Sequence, residues 1–260
     1  MWPEIRLGNI VIPTFFVIIS ITLTLLIIYL SYRTDRDHKN RQQAFDLALI
    51  LMLASFVGGR LFHVFYEEWP FYEKHPLNIF YFWQGGFVFY GGFILALIGA
   101  ATYTHLKKIS FFEWADFFAP LLALGHAFGR IGCLLAGCCY GVKCDLPWAI
   151  SGRHPTPLYL FLGESLIYFF LLYYEKQIQR KWPNTHGLVF IKWVLLHSLL
   201  RFYTEYFRDD FRGASLHLGS LGIWSISQVI SFILIIFSCG FFISKSAVYS
   251  QFYNRRAKEN

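Results

Sequence analysis

The sequence predicts an all-α, polytopic membrane protein, and two observations carry that prediction. Of its 260 residues, 56% are hydrophobic, 20% aromatic and 15% charged, whereas an average soluble domain is about 25% charged. A core for this length cannot hide so much apolar surface from water. Second, apolar runs near the ~20 residues needed to cross a bilayer recur along the chain. Seven candidate helices emerge, at residues 10–32, 45–65, 87–106, 112–139, 157–174, 187–207 and 220–243. Their spacing leaves little room for a separate soluble domain, so residues 1–260 read as one integral membrane domain without repeats or low-complexity stretches.

The first run follows a single Arg6, is too long for a signal-peptide core and lacks a small-x-small exit, so it reads as a retained helix. Orientation follows from the loops between runs. One set of loops carries Arg33, Arg36, Lys39, Arg41, Lys107, Lys108, Lys176, Arg180, Lys181, Lys245, Arg255, Arg256 and Lys258. The opposite set holds only Arg6, Lys74, Lys143, Arg153, Arg208 and Arg212. Short cytoplasmic loops are the ones enriched in Lys and Arg, which places the N-terminus outside and the C-terminus in the cytoplasm. The net charge of +7, from 23 Lys and Arg against 16 Asp and Glu, is thereby an orientation signal and needs no nucleic acid to explain it.

Charges inside spans are costly and usually face a bundle interior or a wet cavity. Arg60 lies near the outer end of the second run, Arg130 in the outer half of the fourth, and Arg201 with Glu205 in the outer part of the sixth. Guanidiniums at similar depth suit an anionic ligand, because Arg presents a planar fork of donors that fits phosphate. The structural alternative is an i,i+4 ion pair between Arg201 and Glu205, with the other arginines reaching the headgroups. In the sixth run His197, Arg201, Glu205 and Arg208 fall at steps of four, four and three, hence on one face. That stripe should look into the bundle, as ligand site or as interhelical glue.

Glycines surround Arg130 in the segment 125–132, and Gly137 and Gly141 follow. Gly129 and Gly132 let either a neighbouring helix or a phosphate come close to the backbone. Tyr90-Gly91-Gly92, at the outer start of the third run, carries the same two readings. His126 suits a hydrogen-bonded core histidine better than a catalyst. Four of the five cysteines form Cys133-x4-Cys138-Cys139-x4-Cys144, which is neither a CxxC pair nor, with His126 and His154, a zinc signature. Either a Cys139–Cys144 or Cys138–Cys144 disulfide or packed free thiols fit this spacing; no metal or cofactor is called for.

Together these motifs resemble the prolipoprotein diacylglyceryl transferase family, from about Gly58 to Ile243. The resemblance rests on Gly58-Gly59-Arg60, Trp83-Gln84-Gly85-Gly86, Tyr90-Gly91-Gly92, Ser110-Phe111-Phe112 leading to Asp116 and Ala119-Pro120-Leu121, Gly129-Arg130-Ile131-Gly132, Arg153-His154-Pro155-Thr156 with Tyr159, and Arg201-x3-Glu205-x2-Arg208. No piece is specific alone; their order, spacing and seven-run setting are. The resemblance implies an enzyme of the bacterial cytoplasmic (inner) membrane. Such enzymes move the diacylglyceryl group of phosphatidylglycerol to the cysteine thiol of a lipoprotein precursor signal peptide, at the outer face of the bilayer. A thiolate attacks the glycerol carbon and glycerol phosphate leaves.

The resemblance then assigns roles. Arg130 and Arg201 would stabilise the leaving phosphate, by analogy with donor deletions that cost about 3–4 kcal/mol. Glu205 would orient Arg201, and Arg208 and Arg60 would contact headgroup or substrate, as would Gly92, Gly129, Gly132, His154, Tyr159 and His197. The acid–base inventory departs from the family. Its typical His-Gly-Gly is Tyr90-Gly91-Gly92, its Asn and Glu after Gly-Arg-x-Gly are Cys133 and Cys138, its Trp-Asp-Gly-Gly holds Gln84, and a first-helix Tyr is Phe15. His197 stands where Tyr is frequent. Tyr90 is therefore the expected proton acceptor, aided by Arg130 or a histidine, although an ordinary tyrosine is a poorer base than His. The competing readings are a paralogue that gives a phospholipid group to another acceptor, and a lipid-binding or transporting protein without catalysis; the absence of repeats disfavours transport.

Overall fold

The computed structural model describes residues 3–8, 10–181, 185–209, 215–217 and 223–259. A hairpin of β1 (Glu4–Leu7) and β2 (Ile10–Pro13), paired antiparallel with Glu4 opposite Pro13, opens the chain. Helix α1 (Thr14–Arg36) follows, so the first four residues of the first apolar run are strand and not helix. Next come α2 (Arg41–Phe62), continued by a π-helical turn through Glu67, the short α3 (Trp69–Lys74) and α4 (Phe89–Leu106). Then α5 (Phe111–Ala136), α6 (Thr156–Lys181) and α7 (Leu188–Glu205) lead to the hairpin β3 (Ser215–His217) and β4 (Ile223–Ser225), and α8 (Ile226–Glu259) ends the chain. Arg212 and the first residues of the run 220–243 lie outside the described residues.

The chain is an all-α polytopic membrane protein. Six helices, α1, α2 with its π turn, α4, α5, α6 and α8, are long and apolar enough to cross a bilayer. Helix α7 has 18 residues but carries Lys192, Arg201 and Glu205. The burial pattern is that of a protein whose solvent is lipid. On α6 the face Leu160, Glu164, Ile167, Leu171, Glu175 and Ile178 is buried, in steps of three and four that place it on one stripe. The opposite face shows Leu162, Leu166, Phe169 and Tyr173, the last three more than 60% exposed. Among lipid tails the apolar residues can face outward and the few charges must turn in.

The chain divides into two compact units. Unit 1 comprises Met1–Ile27 and Phe112–Asn260, and unit 2 comprises Ile28–Phe111. Within unit 1, the start of α1 packs along the glycines of α5: added Cβ atoms at Gly125 and Gly132 would lie 2.9 Å from Leu26 and 3.2 Å from Phe15. Asp116 of α5 fastens the opposite end of the bundle. Its carboxylate accepts from Gly187 N at 2.6 Å and Phe190 N at 2.7 Å, so an anion sits on the unpaired amides and positive dipole end of α7. Ser225 and Gln228 start α8 with a reciprocal pair: Gln228 N donates to Ser225 Oγ at 3.2 Å, and Ser225 N donates to Gln228 Oε1 at 3.0 Å. Lys192 is accommodated inside the bundle over the ring of Phe242, 4.3 Å from its centroid, a cation–π contact that keeps its charge partnered.

Unit 2 is organised by close contact of α2 with α4. The Cβ that Gly92 lacks would lie 2.8 Å from the carbonyl oxygen of Ser55, and that of Gly58 2.7 Å from Leu95 Cβ. The glycines at Gly58 and Gly92 are therefore used here for helix approach. Tyr103 donates to Asp46 at 2.7 Å farther along the same interface.

Candidate active site

The polar centre of unit 1 is a chain of side chains drawn from three helices. Glu164, on the buried face of α6, has no exposure at all. Its Oε1 is hydrogen-bonded to His197 Nδ1 of α7 and lies 3.1 Å from His126 Nδ1 of α5. The two imidazoles meet edge to face with centroids 4.8 Å apart. Arg130, one turn beyond His126 on α5, places Nη2 at 2.9 Å from His126 Nε2. A guanidinium can only donate, so His126 Nε2 accepts and its proton resides on Nδ1, facing Glu164. The order Arg130–His126–Glu164–His197 is thus a series of close polar contacts, hydrogen-bonded at Arg130–His126 and at Glu164–His197, in which the tautomer of His126 is set by its neighbour.

Arg201 extends this centre. It lies four residues after His197 on α7, as Arg130 does after His126 on α5, and four residues are about 6 Å of helix. Arg201 Nη2 is 3.1 Å from Glu205 Oε2 and donates to Ser227 Oγ at 3.4 Å; Ser225 donates to Glu205 Oε1 at 3.1 Å, and Arg208 Nε stands 3.8 Å from Glu205 Oε2. The i,i+4 pair expected as a structural alternative is present, and it is embedded in a network that reaches the start of α8. Arg201 and Arg208 are each about 9% exposed.

The segment after α5 covers the same end of the bundle. Val142 N donates to Phe207 O at 2.9 Å, Gly141 N to His154 O at 2.9 Å, and Gly141 bridges Arg208. These bonds bring the C-terminal ends of α5 and α7 to one level, so Arg130 and Arg201 point their turns toward the same end of unit 1. His154 Nδ1 is 3.1 Å from the hydroxyl of Tyr159, which also accepts from Trp148 Nε1 at 2.9 Å. The His154 ring lies 5.1 Å from that of Phe207, and Arg153 pairs with Asp209 at 2.6 Å. His154 and Tyr159 therefore belong to an aromatic wall at the arginine end.

The remaining sequence-derived positions fall elsewhere. Arg60, in unit 2, is 7% exposed and spends its guanidinium on backbone carbonyls: Nε to Ile79 at 3.1 Å, Nη1 to Gly85 at 2.5 Å and Gly86 at 3.3 Å, Nη2 to Asn78 at 2.7 Å and Tyr81 at 3.4 Å. It also stacks over Tyr72, 5.4 Å from the ring centre. Arg60 thus holds the loop between α3 and α4 in shape. Tyr90 is half-buried at the start of α4, its ring edge-on to Phe89. Gly132 and Gly125 are close-packing glycines against α1, whereas a Cβ on Gly129 would meet only Ile19, at an ordinary 3.8 Å.

Glu164 is absent from the sequence-derived set. The signal was available: a carboxylate in the middle of the run 157–174, flanked by Leu160 and Ile167 on one helical face, is a costly charge without a stated partner. The three donors of His126, Glu164 and His197 lie close enough to hold a metal, within 4.8 Å of one another. The guanidinium on His126 argues for a proton there instead, because it orients Nδ1–H, not a lone pair, toward Glu164. A second convergent group, Cys133, Cys138 and Cys139, has its sulfurs within the same limit, and all five cysteines are free thiols.

Residues 4–244 match the family model described as prolipoprotein diacylglyceryl transferase. The phosphatidylglycerol–prolipoprotein diacylglyceryl transferase of Bordetella parapertussis is 35% identical over 197 residues, covering 72% of this chain and 74% of the relative. That of Paracidovorax citrulli is 36% identical over 197 residues, covering 71% of each. A protein of Clostridium perfringens named phosphatidylglycerol–prolipoprotein diacylglyceryl transferase 2 is 31% identical over 221 residues, 81% of each chain. On this match, and on the motifs that carry it, the chain belongs to the prolipoprotein diacylglyceryl transferase family.

Proposed function

We propose that this chain, acting as a single domain in the bacterial cytoplasmic membrane, transfers the diacylglyceryl group of phosphatidylglycerol to the cysteine thiol of a lipoprotein precursor. The observation that carries the reading is that two arginines, Arg130 and Arg201, each stand one turn beyond a histidine of the buried His126–Glu164–His197 group in unit 1. The names of the relatives supply the substrates. The Lys and Arg bias of the loops supplies the orientation, N-terminus outside, which puts this end of the bundle toward the outer leaflet; α7 is the seventh crossing beside the six long apolar helices.

The chemistry has two demands. Carbon–oxygen cleavage at the glycerol carbon leaves negative charge on the departing glycerol phosphate. Arg130 and Arg201 meet it by exchanging part of their contacts with His126 and Glu205 for phosphate oxygens, with Arg208 reinforcing the positive field. The incoming cysteine must also lose a proton. A histidine whose Nδ1 donates to a buried carboxylate has Nε2 as its basic nitrogen and a partner that stabilises the imidazolium. His197 on Glu164 is that pair, and His126, occupied by Arg130, ties the phosphate-binding arginine to the same carboxylate. Tyr90, at the family's histidine position, is the other proton acceptor to be tested. His154 and Tyr159 line the entry at the arginine end, and Arg60 acts through the loop it braces.

The test is transfer of labelled diacylglyceryl from phosphatidylglycerol to a lipobox peptide in membranes that contain the protein. Arg130→Ala and Arg201→Ala should each abolish transfer while the protein accumulates normally. Near-wild-type activity in both would remove the site. Tight phosphatidylglycerol binding without turnover on any thiol peptide would favour the lipid-binding reading, and turnover on a different acceptor the paralogue reading.

A further inference from the structure

The cysteine cluster at the end of α5 is given no part in the proposed transfer, and its geometry has a distinct cause. Helix α5 ends on Gly137 in the left-handed region, φ 75°. Cys138 N donates to Cys133 O at 3.1 Å, and Gly137 N donates to Leu134 O at 3.3 Å. This is the glycine C-cap with 6→1 and 5→2 bonds, a motif that brings the side chain after the glycine against the one five residues earlier. Here those side chains are Cys138 and Cys133. The third thiol arrives by a less common route: Cys139 is itself in the left-handed region, φ 64°, a conformation that is uncommon and mildly strained for a side chain with a Cβ. Thr156 fixes it by donating to Cys139 O at 2.5 Å. All three sulfurs lie within 4.8 Å of one another.

We propose that Cys133, Cys138 and Cys139 form a binding site for a thiophilic d10 cation, zinc or copper(I), held by three thiolates. At a metal–sulfur distance of about 2.3 Å, ligand sulfurs stand roughly 3.8–4.0 Å apart, so the cluster needs only a small contraction to close on an ion. Soft thiolates select these metals over harder ones. One electrostatic feature agrees. Three thiolates around a divalent ion leave net negative charge, and Arg130 is one turn before Cys133. Binding displaces three thiol protons, so the ion is released as pH falls.

The experiment uses the full chain purified in detergent under reducing, oxygen-free conditions. Zinc and copper(I) are offered separately, and retained metal is measured after gel filtration. Wild type and Cys239→Ser should retain about one equivalent of at least one of the two ions. Cys133→Ser, Cys138→Ser and Cys139→Ser should each lose it. Bound metal should also protect these three thiols of the wild-type protein, and not Cys239, from alkylation read residue by residue by mass spectrometry, which needs no variant to fold. Retention of neither metal by protein with all thiols titratable would overturn the proposal. So would retention by Cys138→Ser, or a disulfide within the cluster in protein taken directly from membranes. None of these readouts depends on transferase activity, so the site and the function stand or fall separately.

Discussion

Arg60 in unit 2 and Arg130 in unit 1 look alike in the sequence, each a lone guanidinium beside glycines in an apolar run, yet the molecule uses them in opposite ways. Among the described residues, Arg60 binds only carbonyl oxygens of one loop and an aromatic face. Those partners are fixed parts of the backbone, and releasing them would leave part-buried carbonyls unpaired. Arg130 binds an imidazole nitrogen, and Arg201 a carboxylate and a hydroxyl. Side-chain partners that themselves titrate or rotate can surrender a guanidinium to an incoming phosphate at little net cost. The distinction between an arginine that braces and an arginine that binds lies in what surrounds it.

The sharpest way to break that comparison is a charge-preserving exchange. Arg130→Lys and Arg201→Lys keep the charge but lose the fork, and transfer should fall by about 10²–10³-fold, the range for removing one preorganised donor at a developing anion. Arg60→Lys should lower the amount of folded protein and leave turnover per folded molecule close to wild type. If Arg60→Lys instead cost as much turnover as the other two, the bracing assignment would fail.

Next in size is Glu164→Gln. The amide retains the shape and removes the charge that stabilises the imidazolium of His197. With acid–base contributions of about 10²–10⁴-fold in general, kcat should drop by roughly 10²-fold while KM for phosphatidylglycerol changes little. A merely structural carboxylate would lower the yield of folded protein and leave the kcat of what remains unchanged. Tyr90→Phe gives the complementary reading: activity within a few-fold of wild type leaves proton removal to His197, and a loss matching that of Glu164→Gln returns it to the tyrosine.

How much of this was legible beforehand depends on range. The apolar runs are local, and most helix ends lie within a few residues of the sequence boundaries; the exceptions are Ile10–Pro13, recruited into a hairpin by the partner strand Glu4–Leu7, Ile223–Ser225, a strand before α8, and the polar C-terminal ends of α6 and α8, which continue to Lys181 and Glu259, past the apolar limits at 174 and 243. Arg130, Arg201 and Glu205 announced themselves as charges inside spans. Helical periodicity put His197, Arg201, Glu205 and Arg208 on one face, and they line one polar network or its immediate neighbours. Periodicity within one helix cannot show which helix comes next to it, so the convergence of His126, Glu164 and His197 from α5, α6 and α7 was not readable. The cysteines were opaque for another reason: their spacing matches no metal signature, and only the left-handed conformations of Gly137 and Cys139 fold that spacing into a cluster.

The smallest expected effects decide what the glycines do. A Cβ at Gly92 would sit 2.8 Å from the carbonyl oxygen of Ser55, a backbone atom that cannot rotate away. Gly92→Ala should therefore destabilise unit 2 by about 1–3 kcal/mol, the usual cost of overpacking, seen as a lower midpoint in thermal unfolding in detergent. A Cβ at Gly129 meets only the end of Ile19 at 3.8 Å, and replacing a mid-helix glycine with alanine gains up to about 1 kcal/mol of helix propensity. Gly129→Ala should then unfold at the same or a slightly higher temperature. Its activity separates the two readings of the segment around Arg130. Unchanged transfer makes Gly129 a feature of the helix alone, whereas a stable variant with impaired transfer places its backbone beside the phosphate, where a methyl group keeps the lipid headgroup from approaching Arg130.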